Sequence, residues 1–280
     1  MRLGLALGGG GARGAAHIGV LMELERLGIR PDLIVGTSIG GLVGALLAAG
    51  QTPQQMGAFF EQMNVNQLFG VPSGVRSLTG NRKLEQLLEK TMGRPTFADL
   101  PIPLAVVTVD LVNRKEIVLD TGDLISAILA TTAFPIVLPP VEREGLTLID
   151  GGVLNNMPFD VARARGATHV IAVDLSHSLP YGTTASAPAG GGIVGRALAI
   201  TQRYPLGQVI SNLADIVTMQ SMNVRLAITR PEVLLQPQMG TIGLFDFHRL
   251  ADGISAGRSA AQAAEAALLS LASSLEHSQV

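Results

Sequence analysis

The segment from Leu33 to Gly50 constrains the fold of this chain most, because it places a serine in a tight turn between two apolar runs. Leu33–Val35 has the β-branched content of a buried strand, and the run from Leu42 to Gly50 is long enough for about three helical turns. Between them stands Gly36-Thr37-Ser38-Ile39-Gly40. In this context the Gly-x-Ser-x-Gly pattern predicts a nucleophile elbow, which exposes Ser38 Oγ beside a helix N-terminus. Taken alone, the pattern also fits a serine that only caps a helix.

A glycine-rich turn lies close to the N-terminus. Residues 3–7 are predicted as a buried strand and residues 15–27 as a helix, with Gly8-Gly9-Gly10-Gly11-Ala12-Arg13-Gly14 between them. The spacing Gly9-x-Gly11-x-x-Gly14 occurs in dinucleotide-binding turns, but the second strand ends in the serine turn and not in the acid that binds a ribose. Backbone N–H groups without side chains are what an oxyanion hole requires, so we expect this loop to serve Ser38. Arg13 either adds positive charge near the oxyanion or pairs with a carboxylate and fixes the loop.

Strands and helices alternate along the chain, which predicts a single α/β domain with a mostly parallel sheet and helices on its faces. The 280 residues are enough for one large core. The further predicted strands are residues 104–109, 116–119, 146–149, 169–173 and 233–236. The further predicted helices are residues 52–63, 81–92, 124–132, 159–165, 195–222 and 253–275.

Composition excludes several classes of function. The net charge is −2, which gives no electrostatic argument for nucleic-acid binding. There is no cysteine, so a thiol nucleophile, a disulfide framework and a cysteine-ligated metal are excluded. The N-terminal apolar run is short and leads into the glycine loop, so we expect a first buried strand, no signal peptide and a cytoplasmic protein. The longest apolar stretches fall short of the roughly 20 residues of a membrane-spanning helix.

The proton acceptor for Ser38 is not settled by residue types alone. Among the five histidines, His177 follows a predicted strand and is the best candidate for a Ser–Asp–His triad, whereas His17 is expected to pack or cap. Asp150-Gly151-Gly152 follows a predicted strand and is either an ordinary turn or a carboxylate that approaches Ser38. A carboxylate base would need burial, because its ordinary pKa near 4 makes it a weak base for an alcohol.

Three motifs in this order resemble those of the bacterial patatin-like phospholipase family. They are the glycine loop Gly9–Gly14, the elbow Gly36–Gly40 and the triplet Asp150–Gly152, and the resemblance extends to residues 101–110, 134–135 and 155–174. It implies a three-layer α/β/α fold with a catalytic core at about 3–175 and a mostly helical region at about 195–275. One departure is Gly8, where many members carry an aspartate.

The resemblance also implies roles for individual residues. Ser38 is the nucleophile and Asp150 the base, with no histidine. The N–H groups of Gly9, Gly10 and Gly11 form the oxyanion hole, and Arg13 takes the basic position beside it. The remaining motif glycines are Gly14, Gly36, Gly40, Gly151 and Gly152.

The function implied is that of a serine acyl hydrolase acting on lipid or other carboxylic esters through an acyl-enzyme, without metal or cofactor. The alternative is a regulatory or adaptor protein that keeps the fold with little hydrolysis. Peripheral membrane contact is left open, with residues 64–79 as either a lid or an ordinary surface connection. Residues 176–192 are rich in Ser, Pro, Gly, Ala and Thr and are expected to form a mobile loop.

Overall fold

A computed structural model describes residues 1–63, 77–135, 138–176 and 206–277 of the chain. Several sequence-based predictions fall elsewhere. The lid candidate up to residue 76, the loop predicted from residue 177 onward, His177 and the start of the helix predicted at 195 all lie outside the described residues.

The strands of the described chain form one mixed sheet. They are β1 (Leu3–Leu7), β2 (Leu33–Thr37), β3 (Leu104–Asp110), β4 (Lys115–Leu119), β5 (Val141–Arg143), β6 (Leu146–Asp150), β7 (His169–Val173) and β8 (Val233–Leu235). The order is β5-β6-β3-β2-β1-β7-β8, with β4 paired to β3. The pairs β1–β2, β1–β7, β2–β3 and β7–β8 are parallel, whereas β3–β4, β3–β6 and β5–β6 are antiparallel. The predicted mostly parallel sheet is confirmed, and the strand that sequence analysis missed is β5.

The helices before residue 63, and those predicted at 124–132 and 159–165, begin and end close to the predicted residues, whereas the helix predicted at 81–92 begins at residue 77 and the one predicted to end at 222 continues to 228. The helices are α1 (Ala15–Arg26), α2 (Ile39–Ala48), α3 (Pro53–Gln62), α4 (Ser77–Met92), α5 (Leu124–Thr131), α6 (Phe159–Ala164), α7 (Leu206–Ile228), α8 (Leu250–Ala263) and α9 (Glu265–His277). The start of α3 follows local chemistry, because Thr52 and Gln55 form a reciprocal capping box.

The single helix predicted over 253–275 is wrong. The chain leaves the helical conformation at Ala264, where φ is −98° and ψ is 8°. The reason lies in tertiary packing, since α8 lies directly against α1 and α9 buries Leu268 and Leu271 in the main core. The Ala-rich sequence contains no breaker that marks this point.

Two apolar layers cover the two faces of the sheet, as expected for an α/β/α sandwich. Alternating residues of one strand point to opposite layers, as Leu5 and Leu7 of β1 do on one side and Ala6 on the other. The larger layer contains buried residues of α1 to α5, α8 and α9. The smaller layer contains Phe159 and Ala162 of α6 and Met222 of α7.

Strand β3 brings two distant parts of the chain together. Its Val107 pairs with Thr37 of β2, and its next residue, Thr108, pairs with Asp150 of β6. Because β4 occupies the other edge of β3 over residues 106–110, β2 and β6 must share one edge and meet end to end. The residues that follow β2 and those that end β6 are therefore neighbours.

Within the part of the chain that the structure describes, no helix is both long and apolar enough to cross a membrane.

Candidate active site

Ser38 lies in the turn between β2 and α2 and has an unusual backbone conformation. Its φ is 54° and its ψ is −125°, a region that non-glycine residues rarely adopt. The flanking glycines are required by space. A Cβ on Gly36 would lie 2.4 Å from the carbonyl oxygen of Gly40, and one on Gly40 would lie 2.1 Å from that of Leu7. The predicted elbow geometry is therefore present.

Asp150 lies at the end of β6 beside Ser38. The Ser38 hydroxyl donates to Asp150 Oδ2 at 2.5 Å, and the N–H of Gly152 donates to Asp150 Oδ1 at 2.8 Å. The Asp150 side chain is buried, and this loss of hydration raises its pKa to about 6 although both hydrogen bonds favour the carboxylate. The close turn needs Gly151, where a Cβ would lie 2.3 Å from the carbonyl oxygen of Val107. Asp150 is thus a turn residue and a partner of Ser38 at the same time.

His17 does not contact the serine. It is completely buried in α1, and its Nε2 lies 2.7 Å from the carbonyl oxygen of Gly8. Burial lowers the pKa of His17 to about 4, so the ring is neutral near pH 7 and Nε2–H donates to Gly8. His17 therefore packs beneath the glycine loop, as the sequence suggested.

The glycine loop lies against Ser38, since a Cβ on Gly9 would approach Ser38 Cβ to 3.1 Å. The Gly9 N–H already donates to the carbonyl oxygen of Asn156 at 3.0 Å, and Asn156 Nδ2 donates back to the Gly9 carbonyl at 3.2 Å. This engagement argues against Gly9 as an oxyanion donor, whereas Gly10 and Gly11 stay predicted donors. Among the described residues, no acceptor takes the N–H of Gly10 or Gly11.

Arg13 is almost fully buried at the edge of the same loop. Its Nε donates to the carbonyl oxygen of Ile242 at 2.9 Å, and a terminal nitrogen lies 3.5 Å from that of Leu175. These contacts join the glycine loop to the residues after β7 and before α8, which favours the interpretation of Arg13 as an anchor. Gly14 allows a close approach as well, because a Cβ there would lie 2.3 Å from Ile39 Cγ1.

Two residues near the dyad were not singled out from the sequence. Asn156 fixes Gly9, and Thr131 accepts the backbone N–H of Ser38 at 2.9 Å on its hydroxyl oxygen. Neither residue has a local motif around it, and both act across long distances in the chain. Only the register of the sheet brings them to the elbow.

A cavity of about 330 Å³ opens over Ser38 and Asp150. The glycine loop and Asn156 line it near the dyad, and most of the remaining wall is apolar. The apolar lining residues among those described are Ile39, Leu42, Met63, Leu84, Phe134, Pro135, Leu138, Val153, Leu213, Val217, Leu244, Phe245 and Phe247. A few polar groups at one end of an apolar cleft are typical of a small-molecule site.

Comparison with solved structures agrees with the fold. The crystal structure of VipD from Legionella pneumophila superposes with a TM-score of 0.58 at 14% identity, covering 94% of this chain and 67% of that one.

Sequence relatives cover different shares of the chain. An uncharacterized NTE family protein of Mycobacterium tuberculosis is 30% identical over 272 residues, which is 94% of this chain and 46% of the relative. The neuropathy target esterase sws of Drosophila melanogaster is 34% identical over 181 residues, which cover 62% of this chain and 13% of the length of the relative. The lysophospholipase NTE1 of Candida albicans is 32% identical over 195 residues, 66% of this chain and 14% of its own. The chain thus spans less than half the length of these relatives.

The sequence profile of the patatin-like phospholipase family matches residues 5–163, a stretch that contains the glycine loop, the Ser38 elbow and Asp150. This match covers more than half of the chain. The chain therefore belongs to the patatin-like phospholipase family.

Proposed function

We propose that this protein is a serine acyl hydrolase that cleaves carboxylic esters of lipids with Ser38 as nucleophile and Asp150 as base. The observation that carries the proposal is the 2.5 Å hydrogen bond from the Ser38 hydroxyl to a buried carboxylate at a nucleophile elbow. A serine that only capped a helix would have no need of this partner, because its hydroxyl would accept from the helix N–H groups.

The reaction proceeds in two balanced halves. Ser38 Oγ attacks the ester carbonyl carbon while Asp150 accepts the hydroxyl proton, and the tetrahedral intermediate carries its negative charge on the former carbonyl oxygen. When the intermediate collapses, the alcohol leaves with the proton from Asp150 and an acyl-Ser38 remains. Water then attacks the acyl-enzyme and gives its proton to Asp150, and the second collapse releases the carboxylic acid and restores the Ser38 hydroxyl.

Electrostatic stabilisation comes from groups that are fixed before the reaction. The N–H groups of Gly10 and Gly11, for which the described part of the chain offers no acceptor, are the oxyanion donors in this proposal, and the positive end of the α2 dipole adds to them. A carboxylate with a pKa of about 6 is a stronger base than an ordinary aspartate. A dyad without histidine requires a carboxylate with a raised pKa, and the burial of Asp150 supports this assignment.

The apolar wall of the cavity supports a substrate with an acyl chain. Leu42, Leu84 and Leu138 are buried side chains that line it, and they offer no hydrogen bond to a polar ligand. The names of the Drosophila and Candida relatives, an esterase and a lysophospholipase, support the same substrate class.

The mouth of the cavity supports contact with a lipid surface. Leu213 and Val217 of α7 and Phe245 line the cavity and are also exposed. The exposed apolar side continues along α7 through Ile216, Val224 and Ile228. This helix carries two charged residues, Asp215 and Arg225, in its whole length. We propose that this side of α7 rests on a zwitterionic lipid surface, from which a substrate enters the cavity without crossing water.

Labelling with a fluorophosphonate, followed by intact mass and peptide mapping, tests the nucleophile. We expect a single adduct on Ser38, parallel turnover of p-nitrophenyl butyrate, and loss of both in Ser38→Ala. The matched control is Ser176→Ala, because Ser176 lines the same cavity but donates its hydroxyl hydrogen bond to Asp174. A folded protein with neither adduct nor turnover would overturn the proposal and favour the regulatory alternative.

A further inference from the structure

We propose that Thr131 is a positioning residue that holds the backbone of the Ser38 nucleophile in its reactive conformation. The proposal assigns a role to a side chain that touches neither the cavity nor the dyad carboxylate. Its kinetic consequence rests on the hydrolase function proposed above, whereas its structural consequence does not.

Thr131 is the last residue of α5 and is completely buried. Its hydroxyl oxygen accepts the N–H of Ser38 at 2.9 Å, and the same hydroxyl donates to the carbonyl oxygen of Val107 at 2.6 Å. A hydroxyl has a single proton, so the bond to Val107 fixes its direction and turns its lone pairs toward Ser38. The side chain therefore acts as an oriented acceptor.

Ser38 needs such an acceptor for two reasons. Its φ of 54° and ψ of −125° persist only where surrounding contacts hold them. Its N–H also stands at the start of α2, where the first N–H groups of a helix have no partner within the helix. The bond to Thr131 satisfies this donor and fixes the peptide plane that sets the direction of the Ser38 side chain.

The same segment also holds the base. The N–H of Asp150 donates to the carbonyl oxygen of Ala133, two residues after Thr131, at 3.0 Å. Val107, the second partner of Thr131, is followed in β3 by Thr108, which pairs with Asp150 in the sheet. One short stretch at the end of α5 thus contacts the backbone of both dyad residues and fixes their separation.

Threonine and its two nearest replacements separate hydrogen bonding from packing. Valine has nearly the shape of threonine but no hydroxyl, whereas serine keeps the hydroxyl and loses the methyl group. That methyl is closely packed, since a Cβ on Gly41 would lie 2.8 Å from Thr131 Cγ2. Thr131→Ser therefore tests the loss of packing, and Thr131→Val tests the loss of the acceptor.

The experiment compares ester turnover, fluorophosphonate labelling and amide hydrogen exchange in wild type, Thr131→Val and Thr131→Ser. We expect Thr131→Val to lower kcat and the labelling rate about 10- to 100-fold with little change in KM, because the nucleophile is displaced while the cavity wall is kept. We expect Thr131→Ser to keep kcat close to wild type. The Ser38 N–H should exchange slowly in wild type and Thr131→Ser and faster in Thr131→Val.

The outcomes are separable. Full activity in Thr131→Val, or an equal loss of kcat in both variants, would overturn the positioning role. If Thr131→Val fails to fold, retained kcat and retained Ser38 protection in Thr131→Ser still support the role, and their loss refutes it. A wild-type protein without turnover would refute the hydrolase function, while the exchange of the Ser38 amide would still decide the role of Thr131.

Discussion

Ser38 and Asp150 are joined by a 2.5 Å hydrogen bond although they lie 112 positions apart in the chain. Asp150 is only 2% exposed, so its end of the bond is largely shielded from water, whereas Ser38 faces the cavity. The loss of hydration raises the pKa of Asp150, and the serine and the Gly152 N–H lower it by a smaller amount. Asp150 is therefore a stronger base than an ordinary aspartate, and its carboxylate becomes protonated at a pH close to that of a cell.

The pH dependence of turnover should report this raised pKa. Asp150 accepts a proton only as the carboxylate, so kcat/KM should be constant above the pKa and fall tenfold per pH unit below it, with a midpoint at about 6. The measurement is hydrolysis of a neutral p-nitrophenyl ester, followed at a wavelength where p-nitrophenol and its anion absorb equally. A midpoint near 4 would indicate a solvated carboxylate and contradict the buried base.

Replacing Asp150 by asparagine should remove activity and change how stability depends on pH. Turnover should fall by on the order of 10³-fold or more, because asparagine accepts no proton. The folded-state pKa of Asp150 is about 6 against 3.8 for the free group, so the folded protein binds the additional proton between these values. Wild-type stability is therefore lost as pH rises through this window, by about 3 kcal/mol at 1.36 kcal/mol per pKa unit.

The check is urea unfolding of both proteins at pH 4 and pH 8. The stability of Asp150→Asn relative to wild type should rise by about 2.4 kcal/mol between the two pH values, because pH 4 already lies just above the pKa of the free group. The other titrating groups contribute equally to the free energy of unfolding of both proteins and cancel in the difference, so wild type serves as the control. A difference that stays constant with pH would mean that Asp150 is not destabilised by its burial.

The parts of the site that could be predicted from the sequence are those whose residues lie close together in the chain. The elbow around Ser38 follows from glycines two positions on either side of it, and the Asp150 turn follows from the glycines after it. Their juxtaposition was implied by the family resemblance, and its physical cause is the register of β3. No local pattern shows that Thr37 and Asp150 pair with adjacent residues of the same strand.

The parts that sequence missed depend on long-range partners. Gly9 was predicted as an oxyanion donor because it belongs to the loop, but its N–H is taken by the carbonyl of Asn156, 147 positions away. Thr131 lies within a predicted helix, and only the fold places its hydroxyl against the N–H of Ser38. The break at Ala264 is of the same kind, since only the packing of α8 and α9 on different neighbours distinguishes it from the surrounding alanines.

Gly11→Ala should impair catalysis through the oxyanion hole. Gly11 has a φ of +56°, and a Cβ there would lie 2.3 Å from the carbonyl oxygen of Leu244, so the loop must move. Losing a fixed donor typically lowers kcat by about 10²- to 10³-fold. Gly28→Ala is the matched control, because Gly28 has a φ of +71° with no heavy atom within 4 Å of the added Cβ.

The control variant should lose about 1 kcal/mol of stability from backbone strain and keep its kcat. Both variants are measured by ester turnover and by thermal unfolding. If Gly11→Ala kept its kcat, or if both variants lost activity equally, the glycine loop would not be the source of the oxyanion donors.

The exposed side of α7 should determine binding to a lipid surface. Ile216 and Val224 are 57% and 62% exposed and do not line the cavity, so the double variant Ile216→Ser/Val224→Ser leaves the dyad untouched. Transfer of two such partly exposed side chains into lipid is worth about 2 kcal/mol, which predicts a roughly 10- to 100-fold loss of binding to phosphatidylcholine vesicles. Hydrolysis of a dissolved short-chain ester should be unchanged, because this substrate reaches the cavity from water.

Leu269→Ser in α9 is the control for this experiment, since Leu269 is 44% exposed and does not line the cavity. Vesicle co-sedimentation and size-exclusion chromatography are measured on wild type and both variants. If the α7 variant bound vesicles as well as wild type does, this side of α7 would be excluded as the lipid contact. The same conclusion would follow if Leu269→Ser lost vesicle binding to an equal extent. A wild-type dimer that the α7 variant disrupts would assign the same side to a second copy of the chain. The lipid contact is supported only if the α7 variant alone loses vesicle binding and all three proteins elute at the same volume. The lost apolar contacts would then be contacts with lipid and not with a second protein.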